Sequence, residues 1–241
     1  MMPFKGTIEE QTLHSQELNE KVPLLVYYPP VYTTLKKYPV LIAQDGPDYF
    51  QLGRLASTAD ELIQSGDIEP MIIIGIAHQR GDDRHQKYHP IGSKHSSYLR
   101  FMSNELPAYI NQEFNTYLLG SGICLIGDSL GGYVSLMCGL RYPRTFGQLI
   151  LQSPFVDSNV LEILHSFTGY ELLKLYHSVG TEEAKFKSPS GVKDFLTPNR
   201  QLFRMLETKN FEYQYEEFQG NHLWSDWQKN LVPALKFIYG K

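Results

Sequence analysis

Apolar positions fall into two alternating kinds of run along this chain, short near-continuous stretches bounded by Gly, Pro or Asp and longer stretches where they return every three or four residues. Residues 22–28 (VPLLVYY), closed by Pro29-Pro30, and 38–44 (YPVLIAQ), closed by Asp45-Gly46-Pro47, read as β-strands. Residues 55–64 read as a helix stopped by Gly66, and 71–77 (MIIIGIA) as a strand of the kind buried on both faces of a parallel sheet. A polar loop over 78–94 precedes a helix predicted over 96–114. A strand over 123–126 runs into a helix over 133–140. Strands over 147–152, 172–179 and 211–218 then alternate with helices over 158–167, 198–208 and 223–239. Strands separated by helices, with the most apolar strands in the middle, predict an α/β fold: a mostly parallel central sheet with helices on both faces.

The strand over 123–126 meets Gly127-Asp128-Ser129-Leu130-Gly131, a G-x-S-x-G pattern, and passes directly into a helix. A serine hydroxyl is a weak nucleophile and must stand clear of the backbone. A tight strand-to-helix turn achieves this when Gly127 and Gly131 keep side chains away from it. The helix then starts just behind the serine, so its first N–H groups and positive dipole end favour negative charge where the oxyanion of an acyl transfer would form. Ser129 is the candidate nucleophile.

Composition narrows the picture. A chain of 241 residues with 42% hydrophobic content can bury one large core, and without a linker-like stretch residues 1–241 are expected to form a single domain. A net charge of −4, with no Lys/Arg cluster, gives no expectation of a nucleic-acid partner. Residues 1–20 are polar, with Glu9, Glu10, Glu17 and Glu20 and no apolar signal core. The longest apolar runs are too short to span a bilayer, so a soluble, cytoplasmic protein with no membrane partner is expected. Cys124 and Cys138, one on the strand before Ser129 and one on the helix after it, suit two reduced, buried thiols. The loop over 78–94 holds Arg80, Asp82, Asp83, Arg84, His85 and His89, with His95 just beyond. No third ligand is placed beside a helical histidine pair and no C-x-x-C is present, so no metal is expected and the loop reads as solvated or site-lining.

In such a sheet, chemistry gathers just beyond the carboxyl ends of the strands: at Asp45-Gly46, His78, Ser129, Ser153, residues 180–183 and residues 220–222. Of eight histidines, His222 follows a late strand in a Gly-containing loop, which makes it the candidate general base. A carboxylate should orient its imidazole and stabilise the imidazolium. Gly180-Thr181-Glu182-Glu183 lies between Ser129 and His222. Spacing does not separate Glu182 from Glu183, and Asp194 is a third candidate.

Taken together, the residues resemble the Putative esterase family of α/β-hydrolases, which includes esterase D and enterochelin-esterase-like enzymes. The resemblance runs from Val26-Tyr27-Tyr28-Pro29 through Asp45-Gly46-Pro47-Asp48-Tyr49-Phe50, Gly127-Asp128-Ser129-Leu130-Gly131-Gly132, Tyr142-Pro143 and Ser153-Pro154 to Gly220-Asn221-His222-Leu223-Trp224. It implies the α/β-hydrolase fold and a cofactor-free serine hydrolase acting on a small-molecule ester, a catecholate siderophore trilactone being the first substrate expectation. By position it implies Ser129 as nucleophile, His222 as base and Glu183 as acid. The Leu130 N–H would be one oxyanion donor. Family members resemble one another in drawing the second from the residue after the Asp-Gly turn, which here is Pro47 and has no N–H, so Gly46 or Asp48 is expected to serve. Alternatives on the same fold are an acyltransferase or thioesterase, and a non-catalytic binding module.

Overall fold

The computed structural model describes residues 5–117, 119–188 and 191–241; the first four residues of the polar segment over 1–20 lie outside them. In chain order these residues build β1 (Thr7–Ser15), β2 (Glu20–Tyr28), β3 (Val40–Ala43), α1 (Gly46–Gln51), α2 (Leu55–Ser65), β4 (Ile72–Ile76), α3 (Asp83–Tyr88), α4 (His95–Arg100) and α5 (Leu106–Glu113). There follow β5 (Ile123–Asp128), α6 (Ser129–Arg141), β6 (Gln148–Gln152), α7 (Ser158–Ser166), β7 (Lys174–Gly180), β8 (Phe186–Ser188), β9 (Gly191–Lys193), α8 (Leu196–Leu206), β10 (Glu212–Phe218) and α9 (Trp224–Tyr239).

Eight strands form one sheet in the order β1-β2-β4-β3-β5-β6-β7-β10, and β8 and β9 pair separately as a small hairpin. From β4 to β10 every pairing is parallel; β2 joins β4, and β1 joins β2, antiparallel. β3, β4 and β5 are buried along their whole length. The period of two sends their side chains to opposite faces. Val40, Ile42, Ile72, Ile74, Ile123 and Leu125 pack on one side with Tyr98, Ile110, Val134, Met137, Val160 and Leu202 from α4 to α8. Leu41, Ala43, Ile73, Cys124 and Ile126 pack on the other with Leu55, Ala59 and Leu62 of α2 and Leu231, Ala234 and Leu235 of α9. Both faces are therefore covered, which is what allows the strands to be continuously apolar.

Several expectations need correction. β1 was hidden in the polar segment over 1–20: it is an edge strand with mostly exposed side chains and so carries no apolar alternation. The loop over 78–94 contains α3, whose Lys87 is buried between Glu20 at 2.5 Å and Asp83 at 2.6 Å; ion pairs replace the apolar stripe that would have revealed it. The helix predicted over 96–114 is interrupted by a π-helical turn at Phe101–Glu105, just before Pro107, which has no N–H to offer the preceding turn. Cys124 and Cys138 are buried and unbridged.

In parallel sheets the crevice lies where neighbouring strands lead away in opposite directions. Here that point is between β3, which leads on to β4, and β5, which leads on to β6. It places the Asp45-Gly46 turn beside the Asp128-Ser129 turn.

Candidate active site

Ser129 opens α6 with φ +50°, a left-handed conformation that a residue with a side chain adopts only under constraint from its surroundings. The glycines supply the room. A Cβ on Gly127 would stand 2.2 Å from the backbone of Gly131, so the strand and the first turn of the helix touch backbone to backbone. Asp45 (φ +55°) and Ser153 (φ +46°) take the same conformation just after β3 and β6. Three adjacent parallel strands thus end in left-handed non-glycine residues around one crevice.

Ser129, Leu130 and His222 line a cleft of about 270 Å³ together with Arg84, His85, His89, Phe155, Phe186, Lys193 and Phe195. His222 Nδ1 lies 2.6 Å from Glu183 Oε2. The carboxylate is wholly buried, and its other oxygen accepts from the Ser153 hydroxyl at 2.6 Å and the Gly180 N–H at 2.7 Å. With Nδ1 donating to a carboxylate, the neutral imidazole carries its lone pair on Nε2, the form a general base requires. The ring is held by aromatic faces: Phe195 stacks on it at 3.8 Å, Trp227 meets it edge-on at 4.7 Å, and Trp227 Nε1 donates to Ser153 Oγ at 3.0 Å.

The other two carboxylate candidates are engaged elsewhere. Glu182 is exposed and accepts from Gln219 Nε2 at 2.6 Å, and Asp194 accepts from the Thr197 N–H at the start of α8. Gly46 lies off the cleft lining. It is buried, and a Cβ there would stand 2.4 Å from Gly75 of β4. The Asp48 N–H already donates to the Asp45 carbonyl at 3.0 Å, whereas the Gly46 amide, at the first position of α1, has no intrahelical acceptor.

Sequence reasoning passed over two groups. Arg84, read as part of a polar loop, forms a fork onto Asp45, with Nε and Nη2 each 2.8 Å from a carboxylate oxygen, and His78 Nε2 lies 2.8 Å from Oδ1. Burial works to raise the Asp45 carboxyl, but the hydrogen bond from His78 and the charge and hydrogen bonds of Arg84 outweigh it and hold it below the usual range. Asp128 is pushed up to about 7, first by burial and then by the charge of Asp45. His85 and His89 are the second group, one on α3 and one just past its C-terminal end, with rings stacked at 4.5 Å. Among the described residues no three His, Cys, Asp or Glu side chains group as a metal site, and no helix is long and apolar enough to cross a membrane.

A mostly parallel sheet covered on both faces, with a serine raised on a left-handed turn between strand and helix, defines an α/β-hydrolase fold. A family profile described as Putative esterase matches residues 15–238, and the chain belongs to that family. The uncharacterized protein YjcH of Bacillus subtilis (strain 168) is 46% identical over 237 residues, covering 98% of this chain and 99% of that protein. Among solved structures, a ferulic acid esterase superposes with a TM-score of 0.81 at 19% identity, covering 98% of both chains. The enterochelin esterase of Shigella flexneri superposes with a TM-score of 0.79 at 17% identity over 96% of this chain and 57% of its own length. Carboxylic ester hydrolysis is the reaction class that this membership supports.

Proposed function

We propose that the protein is a serine carboxylic-ester hydrolase working through an acyl-enzyme, without metal or cofactor. Ser129 Oγ attacks the ester carbonyl carbon while His222 Nε2 takes its proton, and buried Glu183 stabilises the imidazolium across the 2.6 Å contact. The tetrahedral oxyanion forms against the N–H groups of Leu130 and Gly46. The alcohol leaves with the proton from His222, and water, deprotonated by the same imidazole, releases the acid and restores Ser129. The observation that carries this reading is the His222–Glu183 hydrogen bond in a cleft lined by a serine in left-handed conformation.

For the substrate, a catecholate siderophore trilactone remains our first candidate. Phe155, Phe186 and Phe195 offer faces for an aromatic ring, and Arg84 and Lys193 offer positive charge for phenolate oxygens. About 270 Å³ falls below the roughly 300–1,000 Å³ of sites that enclose a drug-sized ligand, so the cleft would take one arm of such a molecule and leave the rest outside.

A non-catalytic binding module is the second reading, favoured by Pro47, which removes an N–H from the turn beside Ser129. Turnover of p-nitrophenyl acetate and of a catecholate trilactone by the wild-type chain and by Ser129→Ala separates the two. Hydrolysis by the wild type, reduced by about 10⁶-fold in kcat in the alanine variant, is expected; hydrolysis that survives the substitution contradicts the esterase reading, and none by either chain favours the module. Faster opening of the trilactone than of the acetate is the result expected for the siderophore substrate.

A further inference from the structure

Arg84 reaches in two directions from α3. It lines the cleft beside Ser129 and Leu130, and its guanidinium forks onto both oxygens of Asp45 behind the cleft wall. A planar fork on a carboxylate fixes rotation as well as distance, which a lysine ammonium does not. Its target is a residue in left-handed conformation, φ 55° and ψ 44°, that has to be held there by its neighbours. Tyr88, on the same helix, accepts from the Asp45 N–H at 3.2 Å, so α3 grips this residue by side chain and by backbone. Gly46, whose amide is the second oxyanion donor in the reading above, follows directly. Pro47 has no N–H and that of Asp48 is already used within the turn, so the orientation of this donor depends on how Asp45 is held.

Charge adds a second consequence. Arg84 Nη2 also lies 3.7 Å from Asp128 Oδ2, immediately before Ser129. Two buried carboxylates, Asp45 and Asp128, flank the turn where an oxyanion would develop, and Arg84 stands between them. Uncompensated negative charge there would oppose the transition state in proportion to its proximity and to the low local dielectric.

We propose that Arg84 is a positioning residue for ester hydrolysis: its fork on Asp45 orients the Gly46 amide toward the oxyanion, and its charge offsets the carboxylates behind Ser129. This role rests on the Ser129 esterase reading. The test is kcat and KM for p-nitrophenyl acetate in the wild-type chain and in Arg84→Gln, Arg84→Lys and Arg84→Ala, with thermal unfolding of each. The expected result is a fall in kcat on the order of 10²-fold in Arg84→Gln, as for loss of an oxyanion donor, with KM little changed. The fall should be smaller in Arg84→Lys, which keeps the charge, and kcat of Arg84→Ala should recover in part when guanidinium is added.

An unchanged kcat in Arg84→Gln, or a loss confined to KM, overturns the proposal. So does a loss of kcat that neither lysine nor guanidinium lessens, since that marks structural support alone. If Arg84→Gln does not fold, Arg84→Lys decides: a reduced kcat supports the fork and a wild-type kcat overturns it. A wild-type chain without Ser129-dependent turnover refutes the esterase reading itself; Ser129-dependent turnover untouched by Arg84→Gln refutes only the positioning role.

Discussion

Glu183 divides its carboxylate between two tasks. Oε2 meets His222 Nδ1 at 2.6 Å, while Oε1 is pinned by Ser153 Oγ and the Gly180 N–H, so neither oxygen can swing away. Glu183→Gln keeps the shape but replaces one oxygen by an NH₂ that cannot stabilise an imidazolium, and it favours the wrong tautomer of His222. We expect kcat to fall by roughly 10³–10⁴-fold with the melting temperature little altered. Glu182→Gln and Asp194→Asn should stay near wild-type kcat, because Glu182 faces Gln219 in solvent and an asparagine can still accept from the Thr197 N–H. Steady-state kinetics of the three variants checks the assignment. Sequence spacing left the choice open since consecutive loop residues point different ways, and that direction is set by the fold.

At the scale of elements, the β3–α1 and β5–α6 turns face each other and bring Asp45 and Asp128 under one guanidinium. Asp45 takes the Arg84 fork and stays charged, and Asp128 holds its proton up to about pH 7, above the ordinary 3.8. Between those values the folded chain binds more protons than the unfolded one, so this group's contribution to stability falls as pH rises from about 4 to 7. Asp128→Asn removes the titration; relative to wild type it should gain about 2–3 kcal/mol more stability at pH 8 than at pH 5, read from denaturant unfolding at both. An equal effect at the two pH values would contradict the buried, proton-holding aspartate. Elements differ in legibility for physical reasons. β3, β4 and β5 could be read because burial on both faces demands unbroken apolar runs. α1 was masked because Asp45-Gly46-Pro47 reads as a turn, although proline is also favoured in the first turn of a helix. α3 was masked because Glu20 and Lys94 hold it from the outside, through its Lys87 and Asp83.

For the whole molecule, two apolar layers fix the sheet from both sides, and the site sits where the order of strands reverses between β3 and β5. Ser129 and His222 could be named as candidates because each follows a recognisable strand in the order this architecture uses, whereas strand order left Glu182, Glu183 and Asp194 together and only the family resemblance singled out Glu183. Arg84 was not, because its role arises only when a polar helix from 83–88 folds back over the β3 turn, a long-range contact that leaves no local periodicity. The central claim is that this assembly activates Ser129 as a nucleophile. Its most direct test is intact-mass and peptide mass spectrometry after brief exposure to a fluorophosphonate ester, which labels only a serine activated by its base. The account predicts rapid addition of one phosphonyl group at Ser129 in the wild-type chain, and none in Ser129→Ala or His222→Ala. Label elsewhere, label at the same rate without His222, or no label in the folded wild-type chain would contradict it.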